Sequence, residues 1–190
     1  MAHLLFFSGS TRKDSFNKKL AQAAARRAQE KGAQAEFIDL ADYEMPMYNG
    51  DLEDEKGITP NGQKLREKMV KADGFFFASP EYNSSIPPVL KNMIDWTSRP
   101  DGDTAGLVAY QGKVIALAAA SPGGLGGLRG LVHVRDIFGN IGSHVVPTQY
   151  AMGGAMDGFN DDGTLARDKD SKMLDSVLDE FIHTAKSLKA

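Results

Sequence analysis

The sequence predicts a doubly wound α/β domain, and three observations carry that reading. Short apolar runs rich in Phe, Ile, Val and Ala alternate with longer amphipathic segments from end to end. Runs such as "FFFA" and "VIALAAA" are nearly continuous in hydrophobicity rather than alternating, which marks strands buried on both faces of a helix-covered parallel sheet. The strand-helix rhythm repeats without a break, with no internal repeat, low-complexity tract or Pro/Ser-rich linker.

Taken in order, the strand candidates are His3–Ser8, Ala35–Leu40, Gly74–Ser79, Lys113–Ala119 and Gly142–Val146. The helical candidates are Phe16–Lys31, Pro60–Ala72, Pro88–Thr97, Leu125–Phe138 and Lys169–Lys189. The second and third helices open with proline, which is tolerated in a first turn, and Gly32 suits the stop of the first. The stretches 41–59 and 147–168 are too long to be plain connectors and are candidate lids or subunit contacts. Five strands with no duplicated half favour the sheet order 2-1-3-4-5, a flavodoxin-like five-stranded parallel sheet with helices on both faces, over the six-stranded dinucleotide fold. One domain spans 1–190, long enough to bury roughly 70% of its unfolded surface.

Composition removes several function classes. The absence of cysteine excludes disulfides, thiolate metal sites, a cysteine nucleophile and thiol relays, so redox chemistry requires a cofactor. A net charge of −3, from 22 basic and 25 acidic side chains with no basic block, argues against a nucleic-acid surface. The apolar run Leu4–Phe7 is far too short for a signal sequence or a membrane span, so a cytoplasmic protein without membrane insertion is expected. His3, His133, His144 and His183 lack metal-ligand spacing, and the acidic stretches at 51–56 and 161–162 lack the EF-hand ligand order. Ser8-Gly9-Ser10 sits on a strand-to-helix turn without the flanks of a nucleophile elbow.

In an open sheet of this order ligands bind beyond the carboxyl ends of the strands where the chain order reverses, between strands one and three, with the loop after strand four next door. After strand one, "SGSTRKDSFN" sets Ser8, Ser10, Thr11 and Ser15 beside Arg12 and Lys13 at a helix N-terminus, where free amides and the helix dipole favour an anion. A phosphate monoester fits, with Arg12 as a planar two-pronged donor. Ser15 also suits a helix cap, and Asn17 can either hold the loop backbone or reach the ligand. Neither a P-loop nor the G-x-G-x-x-G turn that a pyrophosphate needs is present there. After strand three, Pro80 and Pro87-Pro88 stiffen both ends of "PEYNSSIPP", which offers backbone donors and acceptors beside the Tyr82 ring, a surface for a flat heteroaromatic ring with a polar edge. After strand four, the glycines of "SPGGLGGLRG" let backbone approach a ring edge, with Ser121 and Gly123 near its pyrimidine end. Arg129 faces nicotinamide-cofactor phosphates or a neighbouring subunit. Met45, Met47, Met152 and Met156 fall on the two long loops, where such adaptable side chains can line an acceptor pocket or a dimer seam.

The segments "GSTRKDSFNKKLA", "SPEYNSSIPPVLKNMIDWTSR" and "GGLRG", in this order and spacing, resemble the NADPH-dependent FMN reductase family, which includes bacterial quinone, azo-dye and chromate reductases. The similarity covers nearly the whole chain and is most specific from Pro80 to Trp96. It implies non-covalent FMN, NADPH or NADH as reductant, small-molecule electron acceptors, and a dimer or dimer of dimers with the flavin near the subunit interface. By position it implies FMN phosphate at Ser10, Arg12, Ser15, the Phe16 backbone and Asn17, and the flavin ring at Pro80, Glu81, Tyr82, Asn83 and Ser84, with Ser121 and Gly123 completing the pocket. Ser84 stands where many relatives carry glycine or a larger residue. The implied activity is hydride transfer from NAD(P)H through FMN to quinones, azo compounds, free flavin or metal oxyanions by a ping-pong mechanism, with no side-chain catalyst demanded. The alternative is a flavodoxin-type electron carrier or FMN-binding regulatory module without NAD(P)H turnover of its own.

Overall fold

A computed structural model describes residues 1–189. Five parallel strands, β1 (His3–Ser8), β2 (Gln34–Ile38), β3 (Gly74–Ala78), β4 (Val114–Ala120) and β5 (His144–Met152), form one sheet in the order β2-β1-β3-β4-β5. The helices are α1 (Phe16–Glu30), α2 (Gly50–Lys56), α3 (Pro60–Lys71), α4 (Pro88–Thr97), α5 (Leu128–Asn140) and α6 (Asp168–Leu188). The flavodoxin-like order read from the strand count is therefore the one observed. Among the described residues no helix is long and apolar enough to cross a membrane.

The continuous apolar runs have a simple cause: successive side chains enter two different cores. Leu4, Phe6, Phe76, Ala116 and Ala118 face α1 and α6, where Ala21, Ala24, Ala25 and Ala28 let α1 lie close to the sheet. Leu5, Phe7, Phe75, Phe77, Ile115 and Leu117 face α3, α4 and α5. Aromatic stacking ties the second layer together, with Phe7 on Phe77 at 4.9 Å and Phe77 on Phe138 at 4.6 Å between ring centroids.

The differences from the sequence reading lie in the two long loops and at one helix start. β5 runs to Met152, not Val146, and takes in Pro147 at a register shift between Ile115 and Leu117 of β4. An edge strand tolerates a proline that a central strand would not, because the lost N–H faces no ladder partner. α5 begins at Leu128, not Leu125, because Gly126 and Gly127 adopt φ of 63° and 92° and turn the chain first.

The stretch 41–59 contains α2, capped by Asn49 and ended by Gly57, and is strapped to α4 rather than loose. Asn92 accepts from the Tyr48 N–H at 2.7 Å and donates to the Pro46 carbonyl at 2.9 Å; the Trp96 indole N–H donates to the same carbonyl at 2.8 Å. Glu53 holds both the Tyr48 hydroxyl and the Arg99 guanidinium. Burial raises the Glu53 pKa, but these two donors outweigh it and leave the carboxyl below its usual range.

Candidate active site

Three loops meet at the carboxyl ends of β1, β3 and β4. The first turns at Gly9, whose N–H donates to the Ala78 carbonyl of β3 at 2.9 Å. A Cβ at Gly9 would stand 3.1 Å from both Pro80 and Pro87, so this glycine lets the first loop lie against the second. Ser10 and Ser15 are buried, and each hydroxyl accepts a local backbone N–H: Arg12 N–H to Ser10 at 3.3 Å and Lys18 N–H to Ser15 at 3.4 Å. Ser15 is thus the α1 cap, while the amides of Phe16 and Asn17 open the helix with no intrahelical acceptor. The Arg12 guanidinium is exposed at the mouth and donates to the Asp14 carbonyl at 2.9 Å.

The Asn17 side chain holds backbone, but that of β4 rather than of its own loop. Its side-chain amide donates to the Ala120 carbonyl at 2.9 Å and its carbonyl accepts the Ala120 N–H at 2.8 Å, joining α1 to the last residue of β4. The Phe16 ring lies almost parallel to Phe159, at 6.5 Å between centroids.

The second loop is a tight hairpin. Tyr82 and Ser85 exchange backbone hydrogen bonds, each 3.0 Å, across Asn83 at φ 50° and Ser84 at φ 64°. Both central residues at positive φ mark a primed hairpin turn, the geometry that glycine at the Ser84 position would accept without strain. Tyr82 is half exposed.

The third loop is welded to the end of β5. The Ser121 N–H donates to Met152 O at 3.0 Å, and Ala155 N–H donates to Ser121 O at 3.0 Å. At Gly126 a Cβ would meet the backbone of Ala151 and Met152 at 2.6 Å, and at Gly130 it would meet Glu81 and Ser85 at 3.2 Å. These glycines therefore admit neighbouring protein backbone rather than a ring edge. Gly123 and Gly124 differ: the first would meet only the Ser121 hydroxyl, at 3.6 Å, and the second nothing within 4 Å. A side chain at either would project into open space.

That space consists of two adjoining cavities that share Glu81 and Ser121. One, about 180 Å³, is bounded by Ser10, Arg12, Ser15, Phe16, Asn17, Pro80, Glu81 and Tyr82, with Ala120, Ser121 and Pro122 opposite. The other, about 420 Å³, is bounded by Glu81, Asn83, Ser84, Ser121, Gly123 and Gly124, and extends to Arg129. All twelve residues that the sequence reading assigns to a flavin line one or both. Ala120 and Pro122 carry no such sequence signal beyond their place at the end of β4, whereas Gly124 is among the glycines expected to admit a ring edge. A larger recess, about 730 Å³, bordered by Arg135, Asp136, Asn140 and Ser143, lies at the opposite end of the sheet, at the start of β5. Position in the sheet, not volume, singles out the site.

Arg129 is committed elsewhere than to a free anion. Its Nε and Nη2 donate to Glu81 at 2.8 and 2.6 Å, and the Gly130 N–H adds a third bond to the same carboxylate at 3.1 Å. Burial pushes the Glu81 pKa up, and the Gly130 and Arg129 donors together bring it below the usual glutamate value.

The donor set suits a flavin mononucleotide. Two hydroxyls, a guanidinium and two free helix amides gather round the smaller cavity, which has no glycine-rich turn for a second phosphate. The larger one has the side-chain-free wall of Gly123 and Gly124 that a planar ring edge requires.

Residues 2–157 match the model of the NADPH-dependent FMN reductase family. The chain belongs to that family. It is similar to a quinone reductase of Pseudomonas putida, 35% identical over 175 residues, covering 91% of this chain and 89% of that protein. An NAD(P)H:quinone oxidoreductase of Solanum tuberosum is 35% identical over 175 residues, covering 90% and 86%. Among solved structures, the flavoenzyme NAD(P)H:(acceptor) oxidoreductase FerB from Paracoccus denitrificans superposes with a TM-score of 0.84 at 25% identity, over 98% of both chains.

Proposed function

We propose that this protein is an FMN-dependent NAD(P)H oxidoreductase that reduces quinones, with azo compounds, free flavin and metal oxyanions as acceptors of the same kind. The carrying observation is the pair of adjoining cavities, a small anion-lined one and a larger one with a glycine wall, that together are bounded by all twelve residues read from the sequence. Family membership and the quinone reductase relatives support the same assignment.

When bound, a flavin would supply two-electron redox chemistry between nicotinamide and acceptor. The chain holds and orients it. Arg12, the hydroxyls of Ser10 and Ser15, and the amides of Phe16 and Asn17 bind the phosphate as charge-assisted donors. Asn17 keeps the Ala120–Ser121 segment at a fixed distance from that phosphate loop. Pro80, Glu81 and the Tyr82–Ser85 hairpin would border the ring with Ser121 and Gly123. Reductant and acceptor would then take turns on one shared face.

Initial rates over a grid of NAD(P)H and quinone concentrations test this directly. The proposal expects parallel double-reciprocal lines, with each substrate inhibiting competitively against the other at high concentration. Intersecting lines would give the acceptor a site of its own and overturn the shared face.

A further inference from the structure

Only two charged side chains border the larger cavity, Glu81 and Arg129, and they are bonded to each other. Their surroundings differ. The Glu81 side chain is 10% exposed and receives three donors, whereas the Arg129 side chain is 62% exposed and lies over the first turn of α5. The same contact fixes the loop around the cavity. Gly130 packs so closely on Glu81 and Ser85 that a Cβ would stand 3.2 Å from each, and Ser85 Oγ bonds His133 Nδ1 at 2.9 Å.

On the reading that FMN occupies the two cavities, we propose that Glu81 and Arg129 act as a charge-balanced pair that tunes the reduction potential of the ring in opposite directions while pinning the Tyr82 hairpin to α5. Hydride delivery adds one negative charge to the ring system. The carboxylate at the cavity wall disfavours that charge, and the guanidinium favours it. The buried member acts through a less screened field, so its influence is the larger, while that of the exposed arginine falls with added salt. Both are positioning residues, since neither needs to touch a reacting atom.

The signs separate this from a purely mechanical clamp. Glu81→Gln removes the negative charge and should raise the midpoint potential of the bound flavin. Arg129→Gln should lower it by less, by an amount that shrinks at high salt. The double variant should lie between the two. A clamp without electrostatic effect moves both single variants the same way, because either change frees the hairpin.

The experiment is anaerobic equilibration of the FMN-loaded wild type and the three variants against a reference dye, with FMN content measured by acid release. Opposite shifts support the pair. Same-sign shifts, or none, in FMN-loaded variants overturn it. Should Glu81→Gln fail to fold, the surface variant Arg129→Gln carries the test alone: a lowered, salt-sensitive potential supports the proposal and an unchanged one overturns it. Wild-type protein that takes up no FMN on reconstitution overturns the cofactor reading itself, a separate outcome from unshifted variants.

Discussion

Asn17 on α1 and Ala120 at the end of β4 exchange two hydrogen bonds, 2.9 Å from side-chain amide to carbonyl and 2.8 Å from backbone amide to side-chain carbonyl, across 103 positions of sequence. This is a strut between the anion loop and the segment that opens the ring-side cavity. Asn17→Ala leaves both backbone groups of Ala120 buried without partners, at about 1–3 kcal/mol each. Urea unfolding should show a loss of about 2–6 kcal/mol on that basis, together with weaker FMN binding. Unchanged stability would mean that water or another group satisfies Ala120.

Arg12 is exposed and bonded only to its own loop, at the Asp14 carbonyl, so it is free to turn onto a phosphate. Arg12→Ala should weaken FMN binding about ten- to hundredfold, the range for a charged hydrogen bond worth about 1.5–3 kcal/mol. Lys172→Ala, an exposed cation on α6, should change it little. Arg12→Lys should recover part of the loss, keeping charge without the fork. Titration of apoprotein by flavin fluorescence quenching reads all three.

Two glycines two residues apart in "GGLGG" should behave oppositely. Gly124 has nothing within 4 Å of its missing Cβ, so Gly124→Val should fold normally but lose FMN affinity, its branched side chain occupying the cavity. Gly126 sits at φ 63° with backbone atoms at 2.6 Å, so Gly126→Ala should lower the melting temperature. Thermal unfolding of the apoproteins, set beside FMN titration, distinguishes the two effects.

Ser84 at φ 64° is a non-glycine residue in a left-handed conformation. Relief of about 1–2 kcal/mol of strain in Ser84→Gly exceeds the added freedom of the unfolded chain, about 0.4–1 kcal/mol, so a net gain in stability is expected from denaturant melts. Ser84→Val should destabilise, since a β-branched residue fits that backbone worst.

The sheet order and both cores were legible because continuous apolar runs such as Phe75–Phe77 require burial on two faces, and the site followed because order 2-1-3-4-5 names in advance the three loops that matter. What escaped was tertiary in origin. Pro147 spoke against a longer β5, yet an edge position made it harmless. The strap over α4 depends on Asn92, Trp96 and Arg99, whose partners lie about 45 residues away, so no local pattern announced it. Phe159 beneath Phe16 left no sequence signal. For Arg129 the sequence offers cofactor phosphates or a neighbouring subunit, but its bond to Glu81, 48 residues earlier in the chain, arises only from the packing of α5 on the second loop.

The most direct test of the central claim is anaerobic addition of NADPH alone to the purified, FMN-loaded protein. An enzyme that takes hydride from the nicotinamide at this site loses its visible flavin absorbance in proportion to the NADPH added, and regains it when a quinone follows. FMN-loaded protein that stays yellow with NADPH and with NADH, and bleaches only when a separate reductase is supplied, would contradict the account and make the protein an electron carrier.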